Sequence, residues 1–420
     1  MLTSLKQRLQ SVTEVVERSP RFYIWLSVLI ALLFLAGFAL LASLITSMEI
    51  LEFSIRIPWA GLIATYVFLV ASGSGLCIIN ALGAVFGMQR YEMMAKRMAF
   101  LSLTTIIFGM LCIVMHLGHP ERMPLYNAIS PNFHSAISWM GALYSVYLVF
   151  VAIELWLLIR PELIERAERA RGLEKKVFSM LAFTMVDELR FGAVLKDSRL
   201  HRIVGALAFV TGASALSMLG SVFAHSESRL FWYGPYYPVY FLLSALFSGY
   251  AFLLAVTIIT YRVRGYEIFP ELKALIFEMA QVLALLLAVG CTLIAFRVFT
   301  GALNPLGLGP VMLLLTGAFS WAFWVFEIGL MSVIPAYVLL WAAWKKSLPG
   351  VLAGAVMVLI GTFVMRYTFV VAGQVFPNIK NGLPSYLPTL TEIFIIGGVF
   401  GAFLLTVTLV EKFISLKEKV

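Results

Sequence analysis

The chain has 420 residues, of which 61% are hydrophobic and 13% charged, with a formal net charge of +9 and a mean hydropathy of +0.95. A soluble domain carries about 25% charged residues, so the composition excludes a water-soluble enzyme, and no polar stretch is long enough to fold as one separately. The basic residues are spread over short loops, which points to membrane topology and away from nucleic acid.

The first 21 residues are polar and mixed in charge, and the apolar run after them is longer than a signal-peptide core, so it reads as an uncleaved first span. Ten apolar blocks occur in all, each long enough to cross a bilayer. Spans 1 to 5 are Phe22–Ser47, Pro58–Met88, Met98–His116, His134–Ile159 and Ile203–Ala224. Spans 6 to 10 are Tyr236–Tyr261, Leu272–Phe299, Val311–Ala343, Val351–Ala372 and Leu390–Ile414. A bilayer offers backbone groups no water, and no block alternates as a barrel strand would, so the expected fold is an all-α polytopic membrane protein. Spans 2–5 and 6–9 read as two four-helix bundles, with spans 1 and 10 peripheral. The expected divisions are a cytoplasmic segment (1–21), the first span and outer loop (22–57), a first unit (58–224), a second unit (225–372) and a last loop, span and tail (373–420).

Of the 31 Lys and Arg, 25 fall on the side of the termini and 6 on the other. That asymmetry places both termini in the cytoplasm. The largest cytoplasmic loop, 160–202, carries an apolar stripe (Leu163, Ala167, Ala170, Leu173, Val177, Leu181) that predicts an interfacial helix. The outer loops are rich in Pro, Tyr, Asn and Trp, as turns and an aromatic belt would be. Those features leave unexplained why four of the five histidines, His116, His119, His134 and His225, lie on the outer edge.

Cys77, Cys112 and Cys291 lie singly in apolar spans, so no metal site, disulfide or iron–sulfur cluster is expected within this chain. Ionisable groups inside spans are costly and mark substrate or proton routes, or structural ion pairs. Glu154 and Glu327 are the clearest, each without a basic residue nearby in its own span. Arg297, Arg366 and Glu392 lie nearer the outer side, where a pair such as Arg297 with Glu392 is one reading and a proton route another. Ser72-Gly73-Ser74-Gly75 at the middle of span 2 fits close helix packing, or room for a flat ring beside the helix.

The turn His116-Leu117-Gly118-His119-Pro120-Glu121-Arg122 resembles the "D/H-L-G-R-P" turn of the NrfD-type, or polysulfide-reductase membrane-subunit, family. Asn127–Trp139, Glu154, Leu219-Gly220-Ser221, Pro235–Gly249, Arg297, Glu327, Arg366 and Pro388–Glu392 match its other features in order. The turn departs from the commoner pattern at His116, where many members have Asp, and at His119, where most have Arg.

The resemblance implies a quinone-interacting subunit of a respiratory oxidoreductase, taking menaquinone or ubiquinone, in the inner membrane of a prokaryote. It implies a ferredoxin-like iron–sulfur subunit on the outer face, and through it a molybdopterin, hydrogenase or cytochrome subunit. A quinone needs an apolar cleft and a hydrogen-bonding or proton-exchanging group at each carbonyl, which histidine supplies near neutral pH. The expected quinone-binding residues are His116, Tyr126, Asn127, His134 and Ser72. The expected proton-route residues are Glu154, Glu327, Arg297, Arg366 and Glu392. The alternatives are a b-type cytochrome anchor, which needs facing histidine pairs, and a proton-coupled transporter, which needs broken helices at mid-membrane.

Overall fold

The computed structural model describes residues 20–45, 57–117, 119–124, 129–183, 192–376 and 388–413. Among these, ten helices are long and apolar enough to cross a membrane. They include α1 (Pro20–Ile45), α2 (Gly61–Ala84), α3 (Ala95–His116) and α4 (Ala136–Arg169). A short α5 (Leu173–Leu181) precedes α6 (Gly192–Ala224), α7 (Tyr236–Arg264) and α8 (Pro270–Leu303). After a short α9 (Pro305–Leu315), a π-helix (Ala322–Val333) runs on into α10 (Ile334–Trp344), followed by α11 (Leu348–Val375) and α12 (Leu390–Phe413). The chain is therefore an all-α polytopic membrane protein.

Polar side chains inside these helices are mostly satisfied by their own backbone. The hydroxyls of Ser72, Thr104, Ser145 and Ser244 each donate to the carbonyl four residues earlier, at 2.6–2.8 Å. In a medium without water this back-bonding removes the cost of a buried donor. Helix ends are marked by local chemistry. Ser347 Oγ accepts the Gly350 N–H and starts α11, and Asn304 Oδ1 accepts the Leu306 N–H and starts α9. Gly265 follows the last residue of α7 with a φ of 67°, and Gly172, with a φ of 65°, stands just before α5.

Two expectations are corrected. Span 8 is not one helix from Val311 to Ala343: Asn304 and two prolines build α9, and the chain breaks at Thr316 before the π-helix begins at Ala322. The apolar stripe of the 160–202 loop is likewise divided. Leu163 and Ala167 are buried on the extension of α4, and the left-handed Gly172 separates them from α5. The exposed apolar residues of α5, Leu173, Val177, Met180 and Leu181, recur at helical spacing on one face. Its C-terminal carbonyls are held by α4, Leu181 by the indole N–H of Trp156 at 2.8 Å and Ala182 by Arg160 Nε at 3.0 Å.

The described residues form two compact units. One lies within Met1–Tyr66, Arg229–Phe231 and Ala251–Phe413, the other within Val67–Ser228, Trp232–Tyr250 and Ile414–Val420. In the first, α12 packs on α1, where a Cβ at Gly398 would lie 2.0 Å from that of Ala36. In the same unit α11 packs on the π-helix, where a Cβ at Gly361 would lie 2.4 Å from the Met331 nitrogen. In the second, α2 touches α7 backbone to backbone: a Cβ at Gly75 would lie 2.0 Å from the Ala245 carbonyl oxygen. Small residues at such crossings let helices approach closely.

Candidate functional site

Within the second unit, α2, α4 and α6 enclose a set of polar groups. Steps of three, four or seven residues return to the same helix face. Gly73, Cys77 and Asn80 therefore share a face of α2, Tyr147 and Glu154 a face of α4, and His201, Gly205 and Gly212 a face of α6. Glu154 is fully buried. Its Oε1 accepts the Asn80 amide N–H at 2.8 Å and lies 3.7 Å from His201 Nε2. A Cβ at Gly205 would come within 2.9 Å of that same Oε1, so the glycine makes the space the carboxyl occupies. Two turns along, a Cβ at Gly212 would meet the Tyr147 ring at 2.9 Å.

The Tyr147 hydroxyl is 2.8 Å from Ser102 Oγ and donates to the Gly73 carbonyl at 3.2 Å. Ser102 Oγ also donates to that carbonyl, at 2.8 Å, and the Cys77 thiol lies against Tyr147. The two readings of Gly73 and Gly75 are separated here. Thr105, Ile106 and Ser102 fill the space beside Gly73, and the Ala245 backbone fills that beside Gly75, so both glycines serve packing.

In the first unit, Glu327 lies buried in the π-helix and accepts a hydrogen bond from Arg297 Nη2 of α8 at 3.0 Å. Its backbone carbonyl accepts from Ser332 Oγ, five residues on, at 2.9 Å. The sequence shows no partner for Glu327 in its own span, and the structure supplies one from α8. Of the two readings left open for Arg297, an ion pair and a proton route, its bond to Glu327 is the former with a different acid. Glu392, also fully buried, takes the Gly61 N–H at 2.6 Å and so caps the first turn of α2. The approach to that turn is pinned by Gln374, which accepts the Trp59 N–H at 2.9 Å and donates to the Trp59 carbonyl at 2.6 Å. Arg229 donates to the Gln374 carbonyl at 2.8 Å. Arg366 is buried on α11.

The expected quinone-side residues are more dispersed. His116 is the half-buried last residue of α3. His134 is exposed, and its backbone N–H donates to Asn132 Oδ1 at 3.0 Å. Its loop is folded by Ser138 Oγ, which accepts the Asn132 N–H, and by the Trp139 indole, which donates to the Phe133 carbonyl. Tyr126 and Asn127 lie outside the described residues. Ser72 is buried, and its hydroxyl donates to the Phe68 carbonyl at 2.7 Å.

Sequence reading missed Asn80, Tyr147, Ser102 and the role of His201. The signal was present in the spacing, since Asn80 lies seven residues from Gly73 and Glu154 seven from Tyr147. That spacing shows which residues share a face, but nothing in it shows which faces meet.

Ten helices long and apolar enough to span a membrane, among the described residues, define a multi-pass integral membrane protein. The chain belongs to the NrfD family: the model described as "Polysulphide reductase, NrfD" matches residues 49–378. It is 26% identical over 385 residues to a selenate reductase subunit of Mesobacillus selenatarsenatis, covering 86% of this chain and 87% of that one. It is 25% identical over 392 residues to the Hdr-like menaquinol oxidoreductase integral membrane subunit of Archaeoglobus fulgidus, covering 87% and 86%. The protein NrfD of Escherichia coli is 24% identical over 327 residues, covering 75% of this chain and 95% of that one.

Proposed function

We propose that this chain is the quinone-reacting membrane subunit of a respiratory oxidoreductase complex in the inner membrane of a prokaryote. It exchanges electrons between the quinone pool, menaquinone or ubiquinone, and an iron–sulfur partner subunit on the periplasmic face. That partner connects it to a catalytic subunit. The observation that carries this reading is the family match over residues 49–378, joined to a relative whose name is that of a menaquinol oxidoreductase membrane subunit. The three cysteines support an external electron carrier, because Cys77, Cys112 and Cys291 sit on three different helices.

His116 is the group assigned to the quinone oxygen, with the Tyr126–His134 segment beside it. A half-buried imidazole at a helix end can take a proton from a quinol hydroxyl or give one to a quinone oxygen. In the oxidising direction a quinol supplies two electrons and two protons. The protons leave through groups such as His116, and the electrons pass to the partner subunit. Glu154 is assigned to a proton route reaching toward the cytoplasmic side. Its neighbours are an amide and an imidazole. Glu327 is the weaker candidate, because its carboxylate already answers Arg297.

The test is His116→Ala in the assembled complex. Quinone-linked turnover is expected to fall while the variant chain still assembles; unchanged turnover and inhibitor sensitivity would remove His116 from the site. The orientation is tested by a cysteine placed at Lys176, which is expected to resist an impermeant reagent added outside intact cells. Labelling there would invert the topology.

A further inference from the structure

Three atoms around Glu154 are enclosed and make no hydrogen bond among the described residues: Glu154 Oε2, Asn80 Oδ1 and His201 Nε2. His201 Nε2 and Glu154 Oε1 are 3.7 Å apart, too far for a direct hydrogen bond and close enough for one water to lie beside both. Buried polar atoms are rarely left unpaired, and an internal water commonly satisfies two to four of them. The corner is polar enough to hold one: an amide oxygen, a carboxyl oxygen and an imidazole nitrogen are enclosed on the three side chains that meet at Glu154 Oε1 or carry it. His201 reaches furthest toward solvent, with 19% of its side chain exposed against 1% for Glu154. It stands near the start of the membrane-spanning part of α6, at the end of the helix that joins the 160–202 loop.

We propose that Asn80, Glu154 and His201 enclose an internal water, and that His201 is the port through which Glu154 exchanges protons with the side of the membrane occupied by the 160–202 loop. A proton arriving from that side converts the His201 imidazole to imidazolium. The Nε2 proton passes to the water, and the water gives one of its own to the Glu154 carboxylate. The imidazole returns to its neutral form, the water is unchanged, and Glu154 becomes a carboxylic acid. Asn80 fixes the carboxyl through Oε1, which leaves Oε2 to receive the proton. Gly205 admits the carboxyl to this position, since any larger residue would occupy it. Seven residues along α4, about 10 Å at 1.5 Å per residue, the Tyr147–Ser102–Gly73 group continues the polar line toward the interior of the unit.

This inference rests on the reading of Glu154 as a proton carrier, but its test needs neither quinone nor partner subunit. The full chain in lipid nanodiscs is transferred to heavy water, and the infrared carbonyl band of the protonated Glu154 carboxyl is followed. The band is assigned by its disappearance in Glu154→Gln. His201→Ala and His201→Gln are each expected to slow deuterium exchange at that carboxyl by about a hundredfold or more, the lower reach of a positioned acid–base group. Added imidazole is expected to restore the rate in His201→Ala, which a merely structural histidine would not allow. Gly205→Ala is expected to shift the band by displacing the carboxyl. Exchange as fast in both His201 variants as in the parent overturns the proposal. So does the absence of any Glu154-dependent carboxyl band across the neutral range. Failure of the quinone reading would appear separately, as an unaffected His116→Ala complex.

Discussion

Glu154 and Glu327 each sit in a helix with no cation near them in sequence, yet their surroundings differ in kind. Glu154 faces the Asn80 amide at 2.8 Å and the His201 imidazole at 3.7 Å, neither of which carries a fixed charge. Glu327 faces the Arg297 guanidinium at 3.0 Å. A buried carboxyl beside neutral groups can exist in either protonation state, because no partner charge is stranded when it changes. A carboxylate bonded to arginine is tied to the charged state, since protonating it removes an anion from beside a guanidinium in an apolar setting. The difference teaches that an acid within a span is not by itself a proton carrier; the side chains on neighbouring helices decide.

The largest effect should come from breaking the charged pair. Arg297→Met leaves Glu327 buried without its cation and is expected to cost about 3–5 kcal/mol. Thermal unfolding of the purified protein in nanodiscs reads this directly. Arg297→Met combined with Glu327→Met should recover most of the loss, because two apolar residues strand no charge. A single variant as stable as the parent would show that the pair contributes nothing.

A smaller loss is expected at the other acid. Asn80→Leu removes the amide from Glu154 and should cost about 1–3 kcal/mol, the penalty of an unsatisfied buried polar group. The cost stays below that of Arg297→Met because a bond from a neutral amide is lost and not a charged pair. Equal losses at the two sites would end the distinction between them.

The smallest effect on stability is expected for Glu154→Gln. The amide keeps a hydrogen bond to Asn80, so the change should stay within about 1 kcal/mol. In liposomes containing the complex, electron transfer should persist while charge movement falls. Glu327→Gln should show the reverse pattern, with charge movement retained and lower stability because Arg297 loses the Glu327 carboxylate. Normal charge movement in both variants would make both acids structural.

Much of this was open to sequence reading, and the boundary falls on physical lines. Ten spans were legible because a bilayer demands about 20 apolar residues per crossing, a local property of the chain. The same logic failed at span 8, where apolar composition continues through Leu315 to Ala322 although the helix does not. Hydropathy measures transfer to lipid and is blind to the Asn304 cap and the turn after it. The family was legible as well, from an ordered set of short motifs that the match over residues 49–378 bears out.

What the sequence by itself determined is therefore the solvent of this protein, the number of its crossings and the family to which it belongs. Each follows from residues read one segment at a time. Only the tertiary structure decided that Glu392 caps α2, that Arg297 answers Glu327, and that Asn80 and His201 share Glu154. These partners are between 30 and 331 residues apart where a direct hydrogen bond joins them. A helix's own periodicity fixes which of its residues share a face. Which faces meet is set by packing, here by glycines such as Gly205 and Gly75 that leave room for a carboxyl or a backbone carbonyl, and no single segment contains that information.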